Sequence, residues 1–236
     1  TYLQDTWEWD GSGWTQRTLA SAPPARENHA AAFDSSRGVV VMMGGFNGAV
    51  LQDVWELDSA GWVQRSPTGL APAARRAHAM AFDPVRQRTV VFGGGTGVGR
   101  LRDVWEWDGS AWEDRTPAAG PGVRSAARAA YDLRRGRLIV FGGYDGQYLN
   151  DSWALTLKGN PIWSLLTPAG SPPRRRVWST ATYDSERDRM IVFGGQGGPI
   201  YLLADSPALT WFAQIPRVED ERGPPQKNRR GTGPRR

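Results

Sequence analysis

The chain contains no cysteine, so disulfides and thiolate-held metals contribute nothing to it. Lysine is nearly absent, with Lys158 alone in the body of the chain, and histidine is limited to His29 and His78. No apolar run approaches the roughly 20 residues needed to span a bilayer. No segment carries a helical period of apolar residues. The sequence begins at Thr1 without a signal-peptide pattern, and is expected to be a mature product or a piece of a longer protein. Its 236 residues suffice for one good-sized core.

The net charge of +5 is unevenly placed. Residues 217–236 hold seven Lys/Arg against three Asp/Glu, which leaves 22 against 21 in the remaining 216 residues. The body is nearly neutral and the high pI reports a tail. That tail, "VEDERGPPQKNRRGTGPRR", is rich in Pro, Gly and charge and is expected to be disordered. Any nucleic-acid contact is expected through the tail alone, because clustered Arg would meet phosphates there. The Arg-rich, Lys-poor body otherwise points to a GC-rich genome.

Glycine is abundant, and its placement is periodic. Gly-Gly pairs begin at Gly44, Gly93, Gly142 and Gly194, spaced by 49, 49 and 52 residues. A fixed spacing of this size signals a repeat architecture. The residues 75–115 illustrate one unit. "RRAHAMAFD" reads as a small-residue strand, "PVRQ" as a turn, "RTVVFGG" as a β-branched and aromatic strand, "GTGVGRLR" as a loop, "DVWEWD" as a half-buried strand, and "AWEDRT" as a fourth strand. Asp108-Gly109 between the last two is a hairpin turn signal. Four short antiparallel strands per unit describe one blade of a β-propeller. The small residues of the first strand suit the crowded axis. Trp55, Trp105 and Trp153 share one third-strand position, and Trp62, Trp112 and Trp163 open the fourth.

The glycine pairs are expected to be structural, placed where a backbone or bulky group passes closely. All four copies carry them. The cluster Gly93–Gly99 fits no G-x-G-x-x-G register, no helix follows it, and no phosphate-loop motif occurs elsewhere.

An Arg/His-containing first strand, an aromatic-Asp pair, a hydrophobic strand ending in Gly-Gly and a downstream Trp recur with a period near 50 residues. In that order the residues resemble the kelch repeat, over about residues 1–216. The resemblance implies an all-β, kelch-type propeller of four-stranded antiparallel blades, followed by the tail 217–236. The repeats fall at about 26–66, 75–116, 124–167 and a degenerate 174–216, with 1–18 supplying only third and fourth strands. About four to five blades are expected. The ring is closed by pairing N- and C-terminal strands, as is common in this family, or it is incomplete, or it is part of a larger ring. The "DVWEWDG" wording is similar to kelch proteins common in bacteria, which implies a secreted or periplasmic setting.

Catalytic chemistry is hard to assemble from these residues. His29 and His78 hold equivalent positions, but Ala127 and Ser179 replace them in the next two repeats, so no metal site is expected. The acidic residues of the "DVWEWD" frame read as solvated strand faces. Two out-of-frame carboxylates near the axis, as glycoside hydrolysis would need, are not identifiable. The copper-dependent oxidases of the kelch family need a Cys–Tyr crosslink, which a chain without Cys lacks. No cofactor is expected.

What remains is a surface. The loops between second and third strands and the connections into the next blade share one face of a propeller. The first set supplies Asn47, Tyr144, Asp145, Gly146 and Gln147, and the second supplies Arg75, Arg76, Arg124, Arg174, Arg175 and Arg176. Of these, Arg75, Arg124 and Arg176, with Arg26, share one repeat position, whereas "PPRRR" (172–176) exceeds what the repeat requires. Similar kelch domains bind partners through this face, and Arg suits carboxylates. The expectation is a monomeric, non-enzymatic module that binds a protein segment or glycan, anionic in character. A sugar isomerase or lyase is the alternative, favoured by out-of-frame His, Glu or Arg converging on the axis. A fragment of a larger propeller, without a function of its own, is the third reading.

Overall fold

The computed structural model describes residues 1–198, together with the backbone of Tyr201–Leu202 and Ala208–Thr210. The tail 217–236 and Pro207 lie outside the described residues. The chain is all β. A two-stranded hairpin of β1 (Thr6–Trp9) and β2 (Trp14–Arg17) comes first. Three four-stranded antiparallel blades follow. They are formed by β3 (Ala30–Asp34), β4 (Val39–Phe46), β5 (Val50–Leu57) and β6 (Trp62–Arg65), then β7 (Ala79–Asp83), β8 (Arg88–Gly95), β9 (Arg100–Trp107) and β10 (Trp112–Asp114), then β11 (Arg128–Asp132), β12 (Arg137–Tyr144), β13 (Tyr148–Thr156) and β14 (Ile162–Leu166). A fourth sheet begins with β15 (Thr180–Asp184) and β16 (Arg189–Phe193). After the short hairpin of β17 (Gln196–Gly198) and β18 (Tyr201–Leu202), that sheet gains β19 (Ala208–Thr210) as its third strand.

The first strand of each blade is innermost. β3 packs on β7, β7 on β11 and β11 on β15. Large side chains fill the wider gaps further out. Val41, Met43 and Val54 of one blade meet Met80, Val91, Trp105, Trp107 and Trp112 of the next. The following gap is filled from Phe92, Val104, Leu138 and Leu155. This is the kelch-type propeller that the repeat predicts.

Closure through paired termini, one of the expected arrangements, does not form among the described residues. β1 pairs only with β2, and β16 pairs with β15 and β19. The edge of β16 that β1 would need is taken by β19, in register Arg189↔Thr210 and Ile191↔Ala208. The arc of blades is therefore left incomplete among the described residues. Its N-terminal hairpin shows the consequence. Trp9 and Trp14 are 53% and 67% exposed, whereas Trp107 and Trp112 at the same repeat positions are 1% and 7% exposed.

The first three glycine pairs are bulges. The β4–β5, β8–β9 and β12–β13 ladders each shift register at the first glycine, and both residues of every pair have positive φ. A Cβ on Gly44 would lie 2.5 Å from the carbonyl oxygen of Arg75 in the next blade, and one on Gly93 would lie 2.7 Å from that of Arg124. The same carbonyls accept the N–H of Gly45 and Gly94 at 2.9 Å. Only glycine allows both the turn and this blade-to-blade approach.

Candidate functional site

The repeated arginines are built inward. Arg26, Arg75, Arg124 and Arg176 are buried. The guanidinium of Arg75 donates to the carbonyl of Gly93 at 2.9 Å and to both carboxylate oxygens of Asp103 at 2.8 and 2.7 Å. Arg26 does the same with Gly44 and Asp53, and Arg124 with Gly142 and Asp151. Arg176 donates to Gly194 at 3.0 Å. Each of these aspartates also accepts the indole N–H of the tryptophan two residues on, Trp55, Trp105 or Trp153. Burial alone would raise the Asp53 and Asp151 carboxyls. The guanidiniums of Arg26 and Arg124, with the indoles, hold them below their ordinary value instead. Arg75, Arg124 and Arg176, expected on a ligand-binding face, are corrected to buried latch positions: the guanidiniums of Arg75 and Arg124 are bonded within their own blades, and Arg176 donates to the Gly194 carbonyl.

The acidic frame is corrected as well. Glu56 and Glu106 are not solvated but 2% and 1% exposed. Glu56 accepts from Arg37 at 2.7 Å, from Arg65 at 2.8 Å and from Trp107 of the next blade at 2.9 Å. Arg86 grips Glu106 with both η nitrogens. These carboxylates hold strands and blades together.

The other expected residues do face outward. Asn47, Asp145 and Gln147 are exposed at loop tips, where Asn47 and Asp145 cap their own turns by accepting the N–H two residues on. Arg174 and Arg175 are exposed, and neither side chain has a polar partner among the described residues. Arg76 lies over the Phe46 ring at 4.6 Å, and Arg100 lies over the Tyr144 ring at 4.6 Å. Tyr144 also meets Tyr148 edge-on, 5.4 Å between ring centres.

Of these groups, Arg76 and Arg100 line a cavity of 470 Å³ at the mouth of the axis, together with Asn28, Ser125 and Trp178. Its inner rim is set by the backbone. Asn28, Ala77, Ala126 and Trp178 are equivalent residues, two positions beyond each latch arginine, and all have φ between 52° and 59°. Ala77 donates its N–H to Asn28 at 2.8 Å, and Ala126 to Ala77 at 2.7 Å, linking consecutive blades around the axis. This left-handed residue separates an isolated bridge (Glu27↔Phe46 in the first blade) from the strand proper. The first strand is accordingly shorter than its sequence pattern.

Below the mouth, the innermost strands line a channel of 310 Å³ that includes His29, His78, Arg128 and Thr180. Burial pushes the His78 imidazole down to about 3, and Arg75, His29 and Arg128 add to the effect. Burial likewise lowers His29, which Arg26 reinforces.

Sequence reasoning missed Arg100, Trp178 and Arg128. A signal existed for two of them. Trp178 stands where the other repeats carry Asn28, Ala77 and Ala126, and Arg128 stands where they carry Ala30, Ala79 and Thr180. Arg100 has no such mark, since its role depends on the ring it covers.

A search of the curated proteins gives no significant match. The family model described as the KLHDC2/KLHL20/DRC7 Kelch-repeats domain matches residues 4–195. That span runs from the N-terminal hairpin through the fourth glycine pair, and so takes in every latch arginine and every blade-to-blade glycine contact described above. The chain belongs to the kelch-repeat family.

Proposed function

We propose that the chain is a non-enzymatic interaction module that takes a protein segment carrying acidic groups on its loop face, in keeping with the protein interactions that kelch-repeat domains generally mediate. The observation that carries this reading is Trp178. Its residue is 44% exposed at the axial mouth and has φ of 59°, a conformation that a bulky side chain adopts at a cost. Blade packing does not require it, because alanine serves at the same position in two blades. An exposed aromatic retained at a strained position beside a cavity marks a contact surface. Arg76 and Arg100 supply positive charge beside it, and neither is ion-paired among the described residues. Arg174 and Arg175 add two further cations on the connection that carries Trp178.

A panel of acidic peptides and uronic-acid glycans, presented to the wild type, to Trp178→Asn and to Arg174→Ser/Arg175→Ser, tests this. Acidic peptides are expected to bind the wild type, less tightly as salt screens the charges, and to bind both variants more weakly. Equal binding by all three proteins, or binding insensitive to salt, refutes it. Preference for the glycans would move the ligand class from peptide to sugar.

The second reading, a sugar isomerase or lyase, draws on His29, His78 and the out-of-frame Arg128, which do converge on the axis. No carboxylate among the described residues joins them in the channel lining. Turnover of a uronic-acid glycan by the wild type, abolished in His29→Ala, would favour it.

A further inference from the structure

The axial channel contains two groups that the repeat does not require. Arg128 occupies the position of Ala30, Ala79 and Thr180 in the other blades, and His78 that of His29, Ala127 and Ser179. Both could be small residues without disturbing the first-strand frame. Arg128 is a partly desolvated cation. Its Nε donates to the Ser179 carbonyl of the neighbouring blade. Among the described residues it has no ion-pair partner, and no Asp or Glu lines the channel. His78 is 1% exposed, and neither of its ring nitrogens has a hydrogen-bond partner among the described residues. A buried polar group without a partner, beside a cation without a counter-charge, is costly unless a ligand satisfies both. Every unsatisfied group on Arg128 is a donor, and a neutral imidazole offers one more.

We propose that this channel holds a single small carboxylate, accepting from the η nitrogens of Arg128 and from a ring N–H of His78. The planar two-oxygen geometry of a carboxylate matches the guanidinium fork. The charge balance selects a monoanion. One guanidinium neutralises one carboxylate, while burial, with the surrounding Arg75, His29 and Arg128, keeps His78 neutral, so a dianion would retain uncompensated charge inside the channel. The cavity of 310 Å³ admits a short-chain acid or the carboxylate end of a side chain. The site is separate from the loop face and does not rest on the reading given above.

The chain has two histidines, so labelled imidazole rings give two assignable sets of NMR signals in the full chain. Sodium acetate is titrated against sodium chloride at matched ionic strength. Acetate is expected to shift the His78 ring signals saturably, and chloride is not. In Arg128→Ala, acetate affinity should fall by about tenfold or more, as for loss of a charged hydrogen-bond donor. Alanine is native at this position in two blades, and Arg128→Thr, the residue of a third, serves as a second variant should the first fold poorly. A peptide with one Glu and its Gln counterpart form the other arm. A His78 shift by the Glu peptide alone, dependent on Arg128, assigns the carboxylate to a docked side chain. A shift by acetate assigns it to a free acid. Failure of both acetate and the Glu peptide, an equal shift by chloride, or undiminished affinity in both Arg128 variants overturns the proposal.

Discussion

Arg75 holds Asp103 through two parallel contacts of 2.8 and 2.7 Å, and the backbone of the same arginine accepts the Gly45 N–H of the preceding blade at 2.9 Å. One residue therefore fixes its own blade with its side chain and the neighbouring blade with its peptide group. The arrangement recurs at Arg124, whose carbonyl receives Gly94. It makes the repeat a chain of nearest-neighbour attachments, as in other repeat proteins.

Replacing Arg75 with Met should cost about 3–5 kcal/mol, because the substitution leaves Asp103 without its counter-charge and the Gly93 carbonyl without its donor. Urea denaturation measures it. A loss below 1 kcal/mol would show that the latch is dispensable. Any binding defect in this variant would reflect blade geometry rather than a lost ligand contact.

Trp105 and Trp14 separate packing from mere aromatic content. Trp105→Ala should cost about 3–5 kcal/mol as a buried aromatic truncation between blades. Trp14→Ala, at a site 67% exposed, should stay within about 0.5 kcal/mol. Comparable midpoint shifts in the two variants would contradict the interblade assignment.

Stability should depend on pH through His78. Its pKa is 6.5 ordinarily and about 3 in the folded chain. Between these values the unfolded chain binds a proton that the folded chain refuses, so stability falls as pH drops from about 6.5 towards 3. His29 shifts in the same direction. The groups acting on His78 are the cationic Arg75 and Arg128 together with His29, and no carboxylate among the described residues opposes them. One such proton contributes a slope of up to about 1.4 kcal/mol per pH unit. Denaturation midpoints between pH 4.5 and 6.5 should flatten in His78→Ala, alanine being native at this position as Ala127. An unchanged slope would assign the acid sensitivity elsewhere. The aspartates held down by arginine titrate below this window.

Trp178→Asn should leave stability unchanged or raise it by up to about 1 kcal/mol, since Asn tolerates the left-handed conformation that Trp resists. Asn28 already occupies this conformation in the first blade. Loss of stability would mean that the indole packs rather than waits for a partner.

The periodicity of the chain was enough to establish the architecture. Strand alternation, small residues at the axis, Trp at the outer positions and four glycine pairs each follow from local sterics and burial. These constraints act within about ten residues and repeat four times, so they are readable without coordinates. The sequence also marked Arg76, Arg174 and Arg175 as outward-facing. It could not separate them from Arg75, Arg124 and Arg176, or a solvated glutamate from Glu56. An arginine's role depends on whether an acid some 27 or 28 residues away lies within reach, as Asp53 and Asp103 do. Ring closure was undecidable for a similar reason. Two strands, β1 and β19, could compete for the edge of β16, and only their positions in space settled which one pairs. The channel site depended most on tertiary structure. His29, His78 and Arg128 are spread over 100 residues of chain, and they meet because three blades place their innermost strands around one axis, where desolvation leaves the two ring nitrogens of His78 unpaired.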